Sequence, residues 1–540
     1  MSRHWTRMYG EIPREINPNR YPSVVALMDE AMIRYSQRIA FKTPDESMTY
    51  QDVDRLSRSF AAFLQGALRV RKGDRVAVMM PNLLSFPIAL LGVARVGAIQ
   101  VNVNPLYTPR ELRHQLQDSQ ASVIVIFDGA LPALAEVVHE TSVRSVVIAG
   151  SGAGTKTSGL DAPSVLPDVH MFEAAIEQGA KLPLTPIEVD PEDLLFLQYT
   201  GGTTGLSKGA SLSHRNLVAN IEQYKAFMPD ALDEQGEVVV TAIPLYHIFA
   251  LKLTLTYFSV GAENWLVANP RDMNGFVEIL RSARPTVFMG VNTLYGGLTL
   301  HPETPSVDWS RLKVAIGGGS AVLKTTSDRW QELTGRFIHE GFGLSETSPT
   351  VTLNPQFVTE FTGTTGLPLP STDVKLVDDQ GLAVAVGTAG EICVKGPQVM
   401  RGYWNKPEAN AAAFSDDGYF KTGDVGVFDA SGFLRIVDRK KDMIIVSGFN
   451  VYPNEIEAVA STLPGVAESA CVGAPDERTG EAVRLFVTVV PGATISEAAL
   501  IGHCRANLTA YKVPKSVRIV ESLPKSNVGK ILRRELRGVD

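Results

Sequence analysis

The chain has 540 residues, which suggests about three or four folding units. Hydrophobic residues make up 44% and charged residues 20%, a balance that excludes a disordered or fibrous chain. The formal net charge of −7 argues against non-specific binding to nucleic acid, which needs a basic surface.

Three cysteines lie far apart, at positions 393, 471 and 504. Their spacing matches neither a Cys-x-x-Cys motif nor a zinc site, so we expect three free thiols in a reducing compartment. Residues 1–12 lack the apolar run of a secretory signal, and the most apolar stretch, residues 248–267, is interrupted by Lys252 and Glu263. The sequence therefore predicts a cytoplasmic protein in which this stretch is buried core.

The first part of the chain alternates short apolar runs with helix-like stretches. Strands are predicted at residues 76–79, 98–103, 123–127 and 145–149, with a helix at residues 86–96. Continuous Val/Ile-rich strands joined by helices indicate a parallel sheet that is buried on both faces. Residues 150–164 are rich in Gly, Ser and Thr and predict a surface loop.

A similar alternation resumes after Asp190. Strands are predicted at residues 194–199, 286–289, 313–316 and 337–340, and the first and the last two run directly into glycine-rich segments. Because ligands in open α/β sheets sit at the carboxyl ends of strands, these three junctions predict one shared cleft.

From about Asp373 the pattern changes to antiparallel strands with turn residues between them, at residues 374–377, 391–394 and 433–437. After Arg439 a compact α+β unit is predicted. Its elements are a helix after Pro453, strands at residues 470–473 and 482–490, a helix at residues 497–508 and a basic tail. We place the domain boundary at residues 439–441, which divides the chain into residues 1–439 and 440–540.

Residues 199–209 carry the strongest chemical signal, with the sequence Tyr-Thr-Gly-Gly-Thr-Thr-Gly-Leu-Ser-Lys-Gly. Glycines let backbone N–H groups approach an anion closely, while the hydroxyls and Lys208 add donors and a positive charge. This chemistry suits a polyphosphate, and the position after a buried strand argues against a flexible linker. The spacing differs from Gly-x4-Gly-Lys-Ser/Thr, so this is not a standard P-loop.

Residues 199–209 closely resemble the phosphate loop of the acyl-adenylate-forming enzymes, which include acyl-CoA synthetases, luciferases and peptide-synthetase adenylation domains. The resemblance extends from the Glu11 region to Leu536. It is closest to bacterial long-chain fatty-acid–CoA ligases, through residues 102–111, 244–249 and 438–457. It implies an α/β fold with a large N-terminal domain of two stacked α/β sheet subdomains plus a β-rich subdomain, followed by a small mobile α+β C-terminal domain.

The resemblance also implies a set of residues that bind ATP and AMP. They are Thr200, Gly201, Gly202, Thr203, Thr204, Gly205, Lys208, Gly318, Gly341, Phe342, Gly343, Ser345, Asp424 and Arg439. Within this set Phe342 would stack on adenine, and Asp424 and Arg439 would hold the ribose. The family often has Tyr and Thr in place of Phe342 and Ser345, and both changes keep the required chemistry.

Four residues are implied as catalytic: Lys530, Thr200, Glu346 and His247. Lys530 matches the lysine of the adenylation step, where a desolvated cation would stabilise developing negative charge. Glu346 offers a hard oxygen for Mg²⁺. For His247, packing in an apolar segment and a place beside the acyl carbonyl are equally good interpretations.

The small domain carries the remaining implied residues. Lys441 matches the hinge between the domains, and Gly448 and Phe449 match the face that binds coenzyme A. In the family the small domain rotates about the hinge, so that Lys530 leaves the cleft before the thiol arrives.

The sequence therefore predicts ATP-dependent ligation of a fatty acid to coenzyme A with Mg²⁺, through an acyl-adenylate and with release of AMP and pyrophosphate. The open alternatives are a medium-chain or aryl-CoA ligase, an acyl-AMP ligase with another acceptor, and a non-enzymatic adenylate-binding protein. The last is disfavoured because Lys530, Glu346, Asp424 and Lys208 are all present. Peripheral contact with the inner face of the membrane and a homodimer also stay open.

Overall fold

The computed structural model describes residues 3–150, 162–200, 207–233, 236–447, 449–476, 478–526, 529–537 and 539. The strands in these residues are β1 (Ile39–Lys42), β2 (Ser47–Thr49), β3 (Arg75–Met79), β4 (Ile99–Asn102), β5 (Val123–Phe127), β6 (Ser145–Ala149), β7 (Val169–Met171), β8 (Leu194–Thr200), β9 (Lys208–Ser213), β10 (Val238–Thr241), β11 (Glu263–Leu266), β12 (Val287–Gly290), β13 (Val314–Gly317), β14 (Ile338–Gly343), β15 (Thr350–Leu353), β16 (Leu367–Pro368), β17 (Asp373–Val377), β18 (Gly390–Lys395), β19 (Phe420–Phe428), β20 (Leu434–Arg439), β21 (Ile444–Val446), β22 (Phe449–Val451), β23 (Val466–Asp476), β24 (Gly480–Val489) and β25 (Ser516–Ile519).

The α-helices in the same residues are α1 (Val24–Arg34), α2 (Tyr50–Gly66), α3 (Ser85–Arg95), α4 (Pro109–Ser119), α5 (Leu131–Val137), α6 (Phe172–Gly179), α7 (His214–Phe227), α8 (Ile248–Phe258), α9 (Met273–Ala283), α10 (Asn292–Leu300), α11 (Lys324–Thr334), α12 (Pro407–Ala413), α13 (Pro453–Ser461), α14 (Glu497–Asn507) and α15 (Arg533–Leu536). Several begin with a side-chain cap. Thr49 and Thr108 each form a capping box with the third helical residue, which satisfies backbone N–H groups at the helix start.

Two large sheets make up most of the chain. Over the described residues the first has the strand order β7-β6-β5-β3-β4-β8-β9, and the second has the order β16-β15-β14-β13-β12-β10-β11-β1-β2. The central strands of both sheets are parallel, as their continuous apolar runs predict, whereas β9, β2, β15 and β16 pair antiparallel at the edges.

The two sheets stack on a shared hydrophobic core. Along β3, Val76 and Val78 belong to this shared core, while Ala77 and Met79 face a separate cluster on the other side. Along β10, Val239 belongs to the shared core and Val240 to a third cluster. Side chains alternate between the faces of a strand, so each sheet is buried on both faces. The predicted pair of stacked α/β sheets is confirmed.

The rest of the chain forms two smaller sheets. In the described residues β17-β18-β19-β20 form an antiparallel sheet, and β22-β21-β24-β23 form another, with β25 parallel to β24. The second of these packs on α13 and α14 around its own core. The change to antiparallel structure after Asp373 and the α+β unit after Arg439 match the sequence-based prediction. The division at residues 439–441 stays a prediction, with β20 ending at Arg439 and β21 beginning at Ile444.

The three glycine-rich junctions follow strands of two different sheets, because β8 lies in the first sheet and β13 and β14 lie in the second. The stretch at residues 248–267 is buried, as predicted, and forms α8 and β11. Among the described residues, no helix combines the length and the apolar character that crossing a membrane would need.

Candidate functional site

Two glycine-rich segments of the second sheet lie against each other at the carboxyl ends of β13 and β14. A side chain at Gly318 would place its Cβ 3.2 Å from the Phe249 ring and 3.4 Å from the Gly341 carbonyl oxygen. At Gly343 a Cβ would approach the Pro349 carbonyl oxygen to 2.0 Å. These positions require glycine because backbone or aromatic atoms occupy the space. The structure thus brings predicted residues 318, 341 and 343 together.

The segment after Gly343 turns into a short 3-10 helix, Ser345–Thr347. Phe342 and Ser345 are partly exposed beside it, whereas Glu346 is only 7% exposed. Desolvation raises the pKa of the Glu346 carboxyl, and a hydrogen bond from Tyr403 opposes that rise. A buried carboxylate and partly exposed aromatic and hydroxyl groups therefore lie together in this segment.

The ends of the predicted phosphate loop are held by a strand pair. Thr200 ends β8 and Lys208 begins β9, and the two residues are paired antiparallel. Both are partly exposed. Gly201, Gly202, Thr203, Thr204 and Gly205 lie outside the described residues. The pairing places the loop at the carboxyl end of β8, where an anion-binding loop is expected.

Asp424 and Arg439 are neighbours on the antiparallel sheet β17-β18-β19-β20. They are paired residues of β19 and β20, and Arg439 Nε lies 3.3 Å from Asp424 Oδ1. Desolvation raises the pKa of Asp424, while the positive charges of Arg439 and Lys530 oppose that rise. The two residues predicted to hold the ribose are therefore in contact, and the carboxylate of Asp424 is buried.

Lys530 lies near the same pair of charges. Desolvation and then the charge of Arg439 lower the pKa of Lys530 to about 7, although Asp424 acts in the opposite direction. Two hydrogen bonds shape the turn that presents this lysine, from Lys530 N to Ser526 Oγ at 3.1 Å and from Ser526 N to Lys530 O at 2.7 Å. The tail of the chain thus places the desolvated side chain of Lys530 near Asp424.

His247 occupies the junction before α8. Its Nδ1 accepts a hydrogen bond from the Phe249 backbone N–H at 3.3 Å, so the ring caps the helix. Desolvation, with the nearby positive charge of Lys530, lowers the pKa of His247 to about 4. A neutral imidazole is therefore fixed within electrostatic reach of Lys530. Its place beside the acyl carbonyl stays a prediction.

The residues assigned to the hinge and to the binding of coenzyme A lie at the start of the C-terminal α+β unit, next to β21 and β22. Lys441 is exposed, and its carbonyl oxygen accepts a hydrogen bond from Arg537 Nη2 at 3.2 Å. Phe449 is 56% exposed and stacks on Tyr511, with 4.8 Å between the ring centroids. Gly448 lies outside the described residues. The structure groups Lys530 with Asp424 and Arg439, but it packs Phe449 on the small domain itself.

The buried carboxylate of Glu346 is suited to a magnesium ion that is bound together with a nucleotide. In the part of the chain that the structure describes, no group of three or more His, Cys, Asp or Glu residues could hold a metal by itself. Glu346 instead offers a single buried carboxylate that points one oxygen at Tyr403. Mg²⁺ commonly binds through one or two carboxylates together with substrate phosphates and water, which suits this arrangement.

Sequence reasoning missed Tyr403 and the segment around it, residues 400–406, which we call the strap. Met400 N donates to the Glu346 carbonyl oxygen at 2.7 Å, and the strap pairs with β9 through Ser211 N to Gly402 O at 2.9 Å and Trp404 N to Gly209 O at 2.8 Å. The strap therefore joins the base of the phosphate loop to the 345–347 turn. The local sequence at residues 401–404, Arg-Gly-Tyr-Trp, resembles an ordinary surface turn and does not indicate a functional role.

Comparisons with known proteins show the family to which the chain belongs. Residues 28–404 match the family model described as AMP-binding enzyme, and residues 455–530 match the model of its C-terminal domain. The chain is similar to the long-chain-fatty-acid–CoA ligase of Salmonella typhimurium (50% identity over 99% of this chain and 98% of the relative) and to that of Escherichia coli O6:H1 (48% over the same shares). It is also similar to a crystal structure of the anthranilate CoA ligase AuaEII in complex with anthranoyl-AMP, with a TM-score of 0.87, 25% identity and coverage of 96% of this chain and 98% of that one. The chain belongs to the AMP-binding enzyme family.

Proposed function

We propose that this protein joins a long-chain fatty acid to coenzyme A at the expense of ATP. The observation that carries the proposal is the 48–50% identity, over 99% of the chain, to relatives named long-chain-fatty-acid–CoA ligase. The grouping of Lys530, Asp424 and Arg439 beside the glycine-rich loops supports the same reaction, because it supplies positive charge where a nucleotide would lie.

The first half-reaction forms the acyl-adenylate. A carboxylate oxygen of the fatty acid attacks the α-phosphorus of ATP, the bond to the β-phosphate oxygen breaks, and pyrophosphate leaves. Lys530 and Lys208 stabilise the negative charge that builds on the phosphate oxygens, as preorganised cations do in a desolvated site. Glu346 would hold Mg²⁺, which neutralises phosphate charge when it is bound.

The nucleotide is oriented by the remaining residues of the set. Phe342 provides a flat face for adenine, and Gly318 and Gly341 leave room for the base against bare backbone. Asp424 accepts hydrogen bonds from the ribose hydroxyls while Arg439 balances its charge. Thr200 and Ser345 would donate hydroxyl hydrogen bonds to phosphate oxygens.

The second half-reaction forms the thioester. The thiolate of coenzyme A attacks the acyl carbonyl, and the bond from that carbon to the phosphate oxygen breaks to release AMP. We propose that residues 440–540 rotate about Lys441, which removes Lys530 and presents Gly448 and Phe449 to the cleft. His247, held neutral beside the cleft, would line the path of the thiol.

The test is AMP formation with Mg-ATP and a panel of acids from acetate through oleate to aromatic carboxylates, with and without coenzyme A. We expect turnover to peak with long aliphatic acids and to require coenzyme A. Pyrophosphate exchange without thioester would instead assign a different acyl acceptor, and a maximum with aromatic acids would refute the long-chain proposal.

A further inference from the structure

Tyr403 contacts two oppositely charged residues of the predicted site at once. Its hydroxyl donates a hydrogen bond to Glu346 Oε1 at 2.8 Å, and Lys208 Nζ lies 4.9 Å from the centroid of its ring. An ionised carboxylate only accepts hydrogen bonds, so the hydroxyl is the donor. One side chain therefore binds the anion at its tip and the cation at its face.

The backbone around Tyr403 is fixed by independent contacts. Asn410 at α12 accepts from Tyr403 N at 2.6 Å and donates to Tyr403 O at 3.0 Å. On either side, the strap is paired with β9 and with the Glu346 carbonyl oxygen. Tyr403 is thus placed by the edge strand that also begins with Lys208.

The far end of the strap is tied to the other strand of the phosphate loop. Lys406 forms an ion pair with Asp118, and the second oxygen of Asp118 accepts a hydrogen bond from Tyr199 Oη at 2.7 Å. Tyr199 precedes Thr200 in β8, so the strap contacts both strands that carry the loop. A shift of the strap would therefore move β8, β9 and Glu346 together.

This arrangement has a chemical consequence for the two charged groups. A lysine and a carboxylate that meet directly neutralise each other, which would leave less positive charge for phosphate and less negative charge for a metal ion. Tyr403 gives each group a separate partner, and its hydroxyl uses only one of the two carboxylate oxygens of Glu346. Side chains that hydrogen-bond to a metal ligand orient that ligand and change the affinity of the site for the metal.

We propose that Tyr403 is a positioning residue that orients Glu346 toward the Mg²⁺ of bound ATP and keeps Lys208 available to the phosphates. This inference rests on the proposed function, because it needs Mg-ATP as a ligand. It assigns the hydroxyl to metal-dependent binding and the ring to the lysine, so the two parts of one side chain have separable effects.

The test measures the affinity for radiolabelled ATP by equilibrium dialysis, once with Mg²⁺ and once with EDTA. Tyr403→Phe removes the hydroxyl and keeps the ring. We expect it to weaken the binding of Mg-ATP about tenfold, as loss of an outer partner of a metal ligand does. It should also raise the Mg²⁺ concentration needed for half-maximal binding, while binding in EDTA stays near that of the wild type.

The chain offers a matched control in Tyr419, which is influenced by the negative charge of Asp373 and whose ring lies 4.3 Å from Lys375 Nζ. Tyr419→Phe makes the same chemical change in the tyrosine that precedes β19, which contacts no predicted nucleotide residue among those described. It should change neither binding constant. The proposal would be overturned if Tyr403→Phe weakened ATP binding equally with and without Mg²⁺. It would also be overturned if the Mg²⁺ concentration for half-maximal binding did not change. A wild-type protein that fails to bind Mg-ATP would instead refute the proposed function.

Discussion

Thr293 Oγ1 donates a hydrogen bond of 3.0 Å to the carbonyl oxygen of Gly529, the residue before Lys530. Thr293 lies in the first turn of α10, in the large N-terminal part of the chain, whereas Gly529 lies in the tail. Gly529 has a φ of +78°, and a Cβ there would lie 2.7 Å from Thr293 Oγ1. The contact therefore holds the Lys530 turn against the cleft and leaves no room for a side chain.

Replacing Thr293 with valine should weaken the arrangement in which Lys530 faces the cleft. The change keeps the shape and removes one hydrogen bond, worth about 0.5–1.5 kcal/mol, which corresponds to a roughly two- to tenfold shift in population. We expect pyrophosphate exchange to slow by about this factor, while thioester formation from supplied acyl-adenylate is unchanged or faster.

Thr299→Val is the matched control for this experiment. Thr299 lies in the same helix, and its hydroxyl bonds at 3.0 Å to the Gly296 carbonyl oxygen within that helix. It should lose comparable local stability without an effect on either half-reaction. A slower thioester step in Thr293→Val, or an equal effect of the two variants, would argue against a role of this contact in the first half-reaction.

Lys530→Ala should abolish adenylation and spare the second half-reaction. The positive charge of this lysine acts on Asp424, and the first half-reaction builds negative charge that it would stabilise. Pyrophosphate exchange and thioester formation from supplied acyl-adenylate measure the two halves separately. Lys525→Ala, which removes an exposed partner of Glu468, is the control and should keep both. Loss of both halves in Lys530→Ala would refute the assignment.

The lowered pKa of Lys530 predicts a pH dependence of the first half-reaction. Only the ammonium form stabilises negative charge, and with a pKa of about 7 the lysine loses its charge as the pH rises through 7. The value of kcat/KM for ATP, which reports the free enzyme, should therefore fall by about tenfold per pH unit above that point. Lys530→Arg, which stays charged, should be slower but should lack this fall; a flat profile in the wild type would contradict the assignment.

Lys441→Pro should stall the second half-reaction and spare the first. Among the described residues the Lys441 N–H makes no backbone hydrogen bond, so proline removes none, but its ring fixes φ at the position where rotation is expected. Lys441→Ala removes the charge and keeps the backbone free, so it should turn over normally. Normal overall turnover in Lys441→Pro would refute the hinge role.

The sequence predicted the strands well wherever burial on both faces produced continuous apolar runs. Predicted strands at residues 76–79 and 123–127, for example, agree with β3 and β5 to within one residue. Strand β1 was missed, and it reaches the second sheet by pairing with β11 far along the chain. Such non-local pairing leaves no periodic pattern in the local sequence.

The same distinction applies to the site. Glycine-rich segments after strands indicated the residues around Gly318 and Gly341, because their chemistry is local. Tyr403 could not be found in this way, since its role depends on the pairing of the strap with β9 and on a contact with Glu346. The proximity of Lys530 and His247 likewise appears only when the tail folds back on the cleft.

Lys252 provides a last prediction, about stability. It lies in α8 and is fully buried. Among the residues that the structure describes its Nζ has no hydrogen-bond partner, and the centroid of the Tyr224 ring lies 4.6 Å away. Desolvation lowers its pKa to about 7, whereas the unfolded chain restores the usual value near 10.5. Lys252→Met fills the same space without a charge, so we expect it to raise the free energy of unfolding at pH 7 by about 2–4 kcal/mol.

The sign of this effect fixes its pH dependence. Between pH 7 and about 10.5 the unfolded chain binds a proton at this lysine that the folded protein does not, so the stability of the wild type rises with pH across this window. The advantage of Lys252→Met should therefore shrink as the pH is raised from 7 to 10 in urea unfolding experiments. Lys324→Met, which changes an exposed lysine paired with Asp328, should show neither the gain nor the pH trend. An advantage that stays constant with pH would mean that Lys252 is charged to the same extent in both states, and that packing alone explains the gain.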